Sequence, residues 1–446
     1  MDWFWIPARA QPEAEAIVWQ SRRVTYAELM AEIYNAAARL RAAGVSRGDV
    51  VMLEANFSPL GVAVLLALFD MRAIAVPHST GASVPSSVGE GISFANFRCV
   101  VGGDGTLTIV RLSGGADHPL YAQVRAANHP GLVLFTSGSS GVPKGVVHDV
   151  ARLVSKFTER RQCWRTIAFL LFDHIGGLDT LFYSLAGGSC LIIPADRSPE
   201  SVCAAVERHQ AEVLPVSPSF LNLLLLSEVH RRHELSSLRF ITYGAEVMPE
   251  ALLRRCADTF PWVKLVQRYG TSELGALRSH SRGSNSLWLK LAGDDLTIRV
   301  VEGVLQLKCP TAMLGYLNAP SPFTEDGWLN TGDLVEQDGE FIRVLGRNSD
   351  VINVGGEKVH PAEVEAVIAQ MPEVAEVCVT GEPSSILGWM VAARVRLKQP
   401  EDEREFTRRL KRFCSSQIDA FKVPVRVRVV DTPLHNERQK LLRHHG

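Results

Sequence analysis

Paired cysteines are missing from this chain. Eight cysteines are scattered from Cys99 to Cys414 across 446 residues, with no CxxC pair. That spacing offers neither a zinc ribbon nor a dithiol redox motif, and it reads as buried free thiols in a cytoplasmic protein. Long apolar runs are missing too. The best candidate, "PLGVAVLLALFDM" from Pro59, falls short of the roughly 20 residues that span a bilayer and is followed by Arg72. A dominant charge is also lacking. Lys and Arg total 47, Asp and Glu 48, and the net charge is −1 at pH 7. This argues against nucleic acid or an anionic membrane as the main partner. The first residues, "MDWFWIPARAQPEAEA", contain acidic groups and no cleavage-site pattern, so they do not read as a signal peptide. No internal repeat or low-complexity segment is present.

What is present is alternation. "YAELMAEIYNAAARLRAAG" places Leu29, Ile33, Ala36 and Leu40 on one helical face and stops at Gly44. Short apolar runs follow along the chain: "DVVML", "AIAVP", "GLVLF", "IAFLLF", "CLIIP", "EVLPV", "RFITYG" and "VKLVQRYG". All read as strands, with helical stretches such as "SPESVCAAVERHQ" between several of them. The pattern predicts a layered α/β domain with largely parallel sheets. After about Pro320 the composition shifts to Gly, Asp and Asn with short strands, which predicts hairpins. From about Asn348 to the end, strands mix with the helix "EREFTRRLKRFCSSQ", which predicts a small α+β domain.

One stretch raises a chemical question. In "LVLFTSGSSGVPKGVVH" (residues 132–148), an apolar run empties into small hydroxyl residues and glycines ahead of a lysine. Bare backbone N–H groups, hydroxyls and one mobile cation suit phosphate oxygens. The GxxxxGK[ST] pattern is absent, because Pro143 stands where its second glycine would be and Gly145 where Ser or Thr would follow. A plain turn between two strands is the competing reading.

"TSGSSGVPKG" resembles the signature loop of the adenylate-forming superfamily, which includes acyl- and aryl-CoA synthetases, peptide-synthetase adenylation domains and luciferases. Other segments resemble further motifs of that superfamily in the expected order: "VTYAEL", "FDHIGG", "YGAE", "YGTSE", "NTGDL", "GRNSDVINVGGEKVHPAEVE", "AFKVP" and "NERQKLLR". The resemblance covers nearly the whole chain. It implies a large N-terminal domain (1–345), a hinge (346–350) and a small mobile C-terminal domain (351–446). It implies activation of a carboxylic acid by ATP and Mg²⁺ to acyl-AMP and pyrophosphate, then transfer to the thiol of CoA or of a carrier protein's phosphopantetheine.

The residue roles that follow are also implied by that resemblance. Thr136, Ser137, Gly138, Ser139, Ser140, Gly141 and Lys144 would hold the β- and γ-phosphates. Glu273 would ligate Mg²⁺, and Thr271 or Ser272 would touch the α-phosphate. Tyr269, followed by Gly270, would stack on adenine, with Gly244, Ala245 and Glu246 opposite. Asp333 and Arg347 would reach the ribose. Lys440 would bridge the carboxylate and α-phosphate during adenylation. Asp173, His174 and Gly177 would face the acyl group, Gly355 and Gly356 would line a pantetheine tunnel, and Ser349 with Asp350 would form the hinge.

The chain departs from the superfamily pattern at two points. Gln439 precedes Lys440 where relatives have glycine, and the interval from Pro433 is one residue longer. Ser349 stands where relatives carry Asp or Lys. Asp173 follows a phenylalanine, as in amino-acid-activating relatives, but Gly176 and Gly177 do not fit that group. An aromatic or short-to-medium-chain acid without an α-amine is therefore the favoured substrate. The alternatives are an amino-acid-activating enzyme, a phosphotransferase and a non-enzymatic acyl-adenylate or nucleotide binder.

Overall fold

The computed structural model describes residues 1–80, 84–115, 117–136, 142–157, 164–293, 295–384, 388–435, 441 and 443. Among these, the strands form four sheets, three of seven strands and one of five.

Two of the sheets are mainly parallel. In one, Val50–Glu54, Ile74–His78, Phe97–Val101 and Gly131–Thr136 run in the same direction. Leu107–Arg111 and Lys144–Asp149 join it as antiparallel hairpin partners. In the other, Glu15–Trp19, Leu191–Ile193, Thr166–Ile167, Val213–Val216, Phe240–Tyr243 and Lys264–Gln267 are parallel neighbours. The helix Pro59–Asp70 lies in the apolar core that both sheets share, beside Val51 and Leu132 of one and Ile17 and Leu191 of the other. Every residue from Gly61 to Phe69 is buried. The longest apolar run is therefore a core helix, hydrophobic all round because no face meets water. Ser58 caps it by accepting from the Gly61 N–H at 3.0 Å.

The helix Tyr26–Ala42 forms as its spacing predicts. Thr25 and Glu28 make a reciprocal capping box, Leu29, Ile33, Ala36 and Leu40 are buried, and Gly44 lies beyond its end at φ +90°.

Two expectations need correction. "IAFLLF" is a strand only at Thr166–Ile167. The residues after it turn away to reach the next helix, and Phe169 and Phe172 are buried as packing residues outside the sheet. The antiparallel region begins near Tyr269 rather than Pro320. Tyr269–Thr271, Gly275–Ser281, Leu289–Ala292, Thr297–Val301, Val304–Lys308, Leu329–Asp338 and Phe341–Arg347 form the third sheet. A tight hairpin at Glu302–Gly303, both with positive φ (50° and 78°), joins two of its strands. Two consecutive positive φ angles are what a type I′ turn requires.

The fourth sheet holds Ile352–Val354, Glu357–Val359, Val374–Ser384, Gly388–Leu397 and Arg426–Val429. With the helices Pro361–Ile368 and Glu403–Ser415 it encloses its own core, including Val359, Ile368, Val379, Val395, Phe406 and Leu410. A large layered α/β body and a small α+β unit thus make up the chain.

Candidate active site

The parallel strands deliver their C-terminal ends to one region, the usual place for a site in α/β sheets. Phe240–Tyr243 ends in Gly244–Ala245–Glu246, and Lys264–Gln267 leads into Tyr269. A Cβ on Gly244 would lie 2.6 Å from the Arg268 carbonyl oxygen, so this turn needs glycine. Ala245 has φ +68°, an unusual conformation for a residue with a side chain. Such strain costs about 1–3 kcal/mol and concentrates at ligand sites.

Gly131–Thr136 and Lys144–Asp149 form a hairpin whose last pair is Thr136 opposite Lys144. Residues 137–141, where Ser137, Gly138, Ser139, Ser140 and Gly141 were expected to cradle phosphates, lie outside the described residues. Their two flanking positions therefore emerge side by side. Asn318 braces the hairpin by accepting from Gly145 N–H at 3.0 Å and donating to the Pro143 carbonyl at 2.8 Å.

Lys144 Nζ sits 5.2 Å from the Tyr316 ring centroid, within cation–π range. The Tyr316 hydroxyl donates to Glu273 Oε1 at 2.6 Å. The loop lysine and the expected metal-binding carboxylate are thus joined through one tyrosine. Burial opposes ionisation of Glu273, but Tyr316 and Thr271 outweigh it and hold the carboxyl below its ordinary range. Below it, His148 Nε2 lies 2.6 Å from the Ser272 carbonyl oxygen, so the ring nitrogen donates there. Burial pushes the His148 imidazole down to about 4. The 271–273 turn therefore rests on a neutral buried histidine.

The ribose-side pair also meets. Arg347 Nε lies 2.8 Å from Asp333 Oδ1, and the Tyr269 hydroxyl donates to Asp333 Oδ2 at 2.6 Å. Burial raises the Asp333 carboxyl despite the pull of Arg347 and Tyr269. Tyr269 is only 7% exposed and belongs to an apolar cluster with Val146 and Leu277. Its ring is thus more a core element than the stacking expectation implied. Gly270 is fixed by packing, since a Cβ there would lie 2.6 Å from the Gly275 carbonyl oxygen.

On the acyl side, His174 caps the helix Ile175–Ala186, its Nδ1 accepting from Gly176 N–H at 3.1 Å. Asp173 is buried and accepts from the Ser79 hydroxyl at 2.8 Å. A Cβ on Gly177 would lie 2.1 Å from the Leu171 carbonyl oxygen, which makes glycine obligatory for the turn into this helix. Lys156, absent from the sequence reading, pairs with Asp179 of that helix and donates to the Ala276 carbonyl at 2.6 Å.

Ser349 and Asp350 lie in a short 3₁₀ turn, Asn348–Asp350, where the Ser349 hydroxyl donates to Asp350 at 3.0 Å. Gly355 and Gly356 turn an exposed hairpin with φ of 59° and 97°. A Cβ added at Gly356 would meet nothing within 4 Å. Lys440 lies outside the described residues.

The donor set fits ATP with magnesium. Among the described residues no group of three His, Cys, Asp or Glu could hold a metal. Mg²⁺ usually takes one or two carboxylates and completes its shell with substrate phosphates and water. Glu273, its carboxyl held below the ordinary range beside the Thr136–Lys144 hairpin, has the charge and the hard oxygens such a site would use.

The fold and this site define an adenylate-forming enzyme. The family model described as AMP-binding enzyme matches residues 4–292, and that of the AMP-binding enzyme C-terminal domain matches 363–439. The chain belongs to this family, together with the acyl- and aryl-CoA ligases of the adenylate-forming superfamily. A 2-succinylbenzoate–CoA ligase of Bacillus subtilis is 29% identical over 485 aligned residues, covering 98% of this chain and 96% of that protein. A long-chain-fatty-acid–CoA ligase of Mycobacterium tuberculosis is 27% identical, with 98% and 95% covered. Among solved structures, the o-succinylbenzoate CoA synthetase of B. subtilis with ATP and magnesium ion aligns at TM-score 0.79 and 26% identity, covering 99% of this chain and 98% of that one. An anthranilate CoA ligase in complex with anthranoyl-AMP aligns at TM-score 0.81 and 22% identity, with 99% and 95% covered, a likeness of fold.

Tyr316, His148, Asn318 and Lys156 escaped the sequence reading. Tyr316 is 43 residues from its partner Glu273 and carries no local pattern. His148 had a signal, as a polar residue within the apolar strand that closes the phosphate-loop hairpin.

Proposed function

We propose that this chain activates an aromatic or short-to-medium-chain carboxylic acid without an α-amine and passes it to coenzyme A. The reaction class is that of an ATP-dependent acid–thiol ligase. A carboxylate oxygen attacks the α-phosphorus of ATP, the bond to the β-phosphate breaks, and pyrophosphate leaves. A thiolate then attacks the acyl carbon of the acyl-AMP, and AMP departs.

The observation that carries this reading is the run Lys144–Tyr316–Glu273 beside the phosphate-loop hairpin. A carboxylate approaching a triphosphate is repelled by about 4 kcal/mol per pair of unit charges at 4 Å and an effective dielectric of 20. Lys144 offsets part of this directly. Glu273 would hold Mg²⁺, which supplies charge neutralisation when bound. Asp333 and Arg347 would meet the ribose hydroxyls, and the Ala245 turn would lie along the adenine edge; the Arg347–Asp333 pair and the strained φ of Ala245 support this reading. Lys440 would approach the α-phosphate. Asp173 is already engaged by Ser79 and buried, which supports an acid lacking an amine.

The 2-succinylbenzoate relatives favour an aromatic acid. No described helix is long and apolar enough to cross a membrane, and we assign the enzyme to the cytoplasm. The phosphopantetheine of a carrier protein presents the same thiol arm as CoA and is the second acceptor to compare. The test is acid-dependent exchange of labelled pyrophosphate into ATP over a panel of aromatic, aliphatic and amino acids, followed by thioester formation with each acceptor. Exchange with aromatic acids and CoA-dependent AMP release are expected. Exchange with amino acids alone would overturn the substrate assignment, and no exchange with any acid would overturn the ligase reading.

A further inference from the structure

Among the described residues, His435 of the small unit reaches the helix beside the adenine-side turn. His435 Nε2 lies 2.8 Å from the Ser219 hydroxyl oxygen. That hydroxyl donates to Glu246 Oε2 at 2.5 Å, and the Ser219 backbone N–H donates to the same oxygen at 3.1 Å. A serine hydroxyl has a single proton, and here it goes to the carboxylate. His435 Nε2 must therefore carry its own proton and donate it to Ser219. On the other side of the ring, His435 Nδ1 lies 3.4 Å from Glu376 Oε2, which also accepts from the Leu434 N–H at 2.7 Å. Glu376 belongs to the strand Val374–Ser384 of the small unit, where Arg396 also pairs with it. Ser219 lies in the first turn of the helix Pro218–Ser227, whose N-terminus favours a carboxylate such as Glu246.

A continuous path thus runs Glu376, His435, Ser219, Glu246. Its last member adjoins Ala245, the strained residue of the turn assigned to adenine. A second contact lies one helical turn along, where Asn222 Nδ2 donates to the Ala375 carbonyl at 3.2 Å. The hinge offers no comparable anchor from Ser349, which is exposed and bonds to its own neighbour.

We propose that His435 is a positioning residue for adenylation. By seating on Ser219 it fixes Glu246, and with it the adenine-side turn, and it holds the small unit in the arrangement that carries out the first half-reaction. It touches neither substrate nor reacting atoms. This inference rests on the ligase reading above.

The test uses the full-length protein and the variants His435→Ala, Ser219→Ala, the double variant and His435→Gln. Pyrophosphate exchange reads adenylation, and thioester formation from supplied acyl-adenylate and CoA reads the second step. Each alanine variant is expected to slow exchange about tenfold, the loss equivalent to one hydrogen bond of about 1.4 kcal/mol. It should leave thioester formation within about twofold. The double variant should be no slower than the slower single one, since both break the same path. His435→Gln keeps an N–H donor and should recover part of the loss. Additive losses, equal slowing of both half-reactions, or unchanged exchange would overturn the proposal while leaving the ligase reading intact. Silence of the unaltered protein in both assays overturns the ligase reading and this inference with it.

Discussion

Glu273 is held below its ordinary range by one neighbour far away in the chain and one within its own turn. Tyr316 donates to one oxygen, and Thr271 lies within the same turn. An ionised hard-oxygen donor beside Lys144 is what a magnesium–triphosphate complex needs. Glu273→Gln keeps the shape and removes the charge, so the Mg²⁺ concentration for half-maximal exchange should rise about tenfold or more, with ATP affinity less affected. Magnesium titrations of exchange that superimpose for wild type and variant would remove Glu273 from the metal. Lys440→Ala is expected to lower exchange by about 10²–10³, the usual loss for one preorganised charge-stabilising donor. Thioester formation from supplied acyl-adenylate should persist. Unchanged exchange would show that the longer interval from Pro433 has carried Lys440 away from the α-phosphate.

Among the elements, the strand Lys144–Asp149 ties together two parts of the proposed site, since it closes the Thr136–Lys144 hairpin and carries His148 beneath the 271–273 turn. Burial lowers the His148 imidazole from its ordinary 6.5 to about 4. The unfolded chain therefore takes up this proton first as pH falls. Stability from the neutral histidine is full above pH 6.5 and drains away as pH drops towards 4, by on the order of 3 kcal/mol at the limit. His148→Gln can still donate to the Ser272 carbonyl but does not titrate. It should be less stable at neutral pH and show a flatter decline between pH 6.5 and 4 in urea unfolding. Equal slopes for both proteins would contradict this account.

Elements also differ in how well the sequence exposes them. The helix Tyr26–Ala42 was legible because its apolar face and terminal glycine agree, and the structure adds the Thr25 cap. The parallel strands were legible as apolar runs. "IAFLLF" misled because an apolar run that packs outside a sheet looks the same as a buried strand. The third sheet was placed too late because the Glu302–Gly303 hairpin turn went unread between "TIRVV" and "VLQLK". Within the site, motif residues such as Glu273 and Asp333 could be named, but not the tyrosine that joins one to Lys144 or the network between Ser219 and His435. Those pairings span 43 and 216 residues and exist only after folding.

For the whole molecule, the C-terminal sheet has an apolar core of its own, separate from those of the large body. Ser349 sits in the short turn between them. Proline at this position fixes φ and removes the N–H, so it restricts any pivot there. Ser349→Pro is expected to leave adenylation within a few-fold of wild type and to slow thioester formation sharply. Ser349→Asp should change either rate only modestly, since exposed ion pairs contribute about 0–1 kcal/mol. Equal effects of proline on both half-reactions would place the pivot elsewhere.

The seven described cysteines are all free, and six of them are buried. Burial pushes the thiols of Cys99, Cys203 and Cys256 up to about 12 and those of Cys190 and Cys414 to about 11. A thiol held so far from its reactive thiolate form is silent until the chain around it opens. The molecule therefore carries its own stopwatches. Cys414 times the opening of the small unit, and Cys99, Cys203 and Cys256 time the large one. With a thiol-specific label in native buffer, followed by peptide mass spectrometry, Cys414 should be modified on a different clock from the other three. One shared time course would mean that the two units come apart only together.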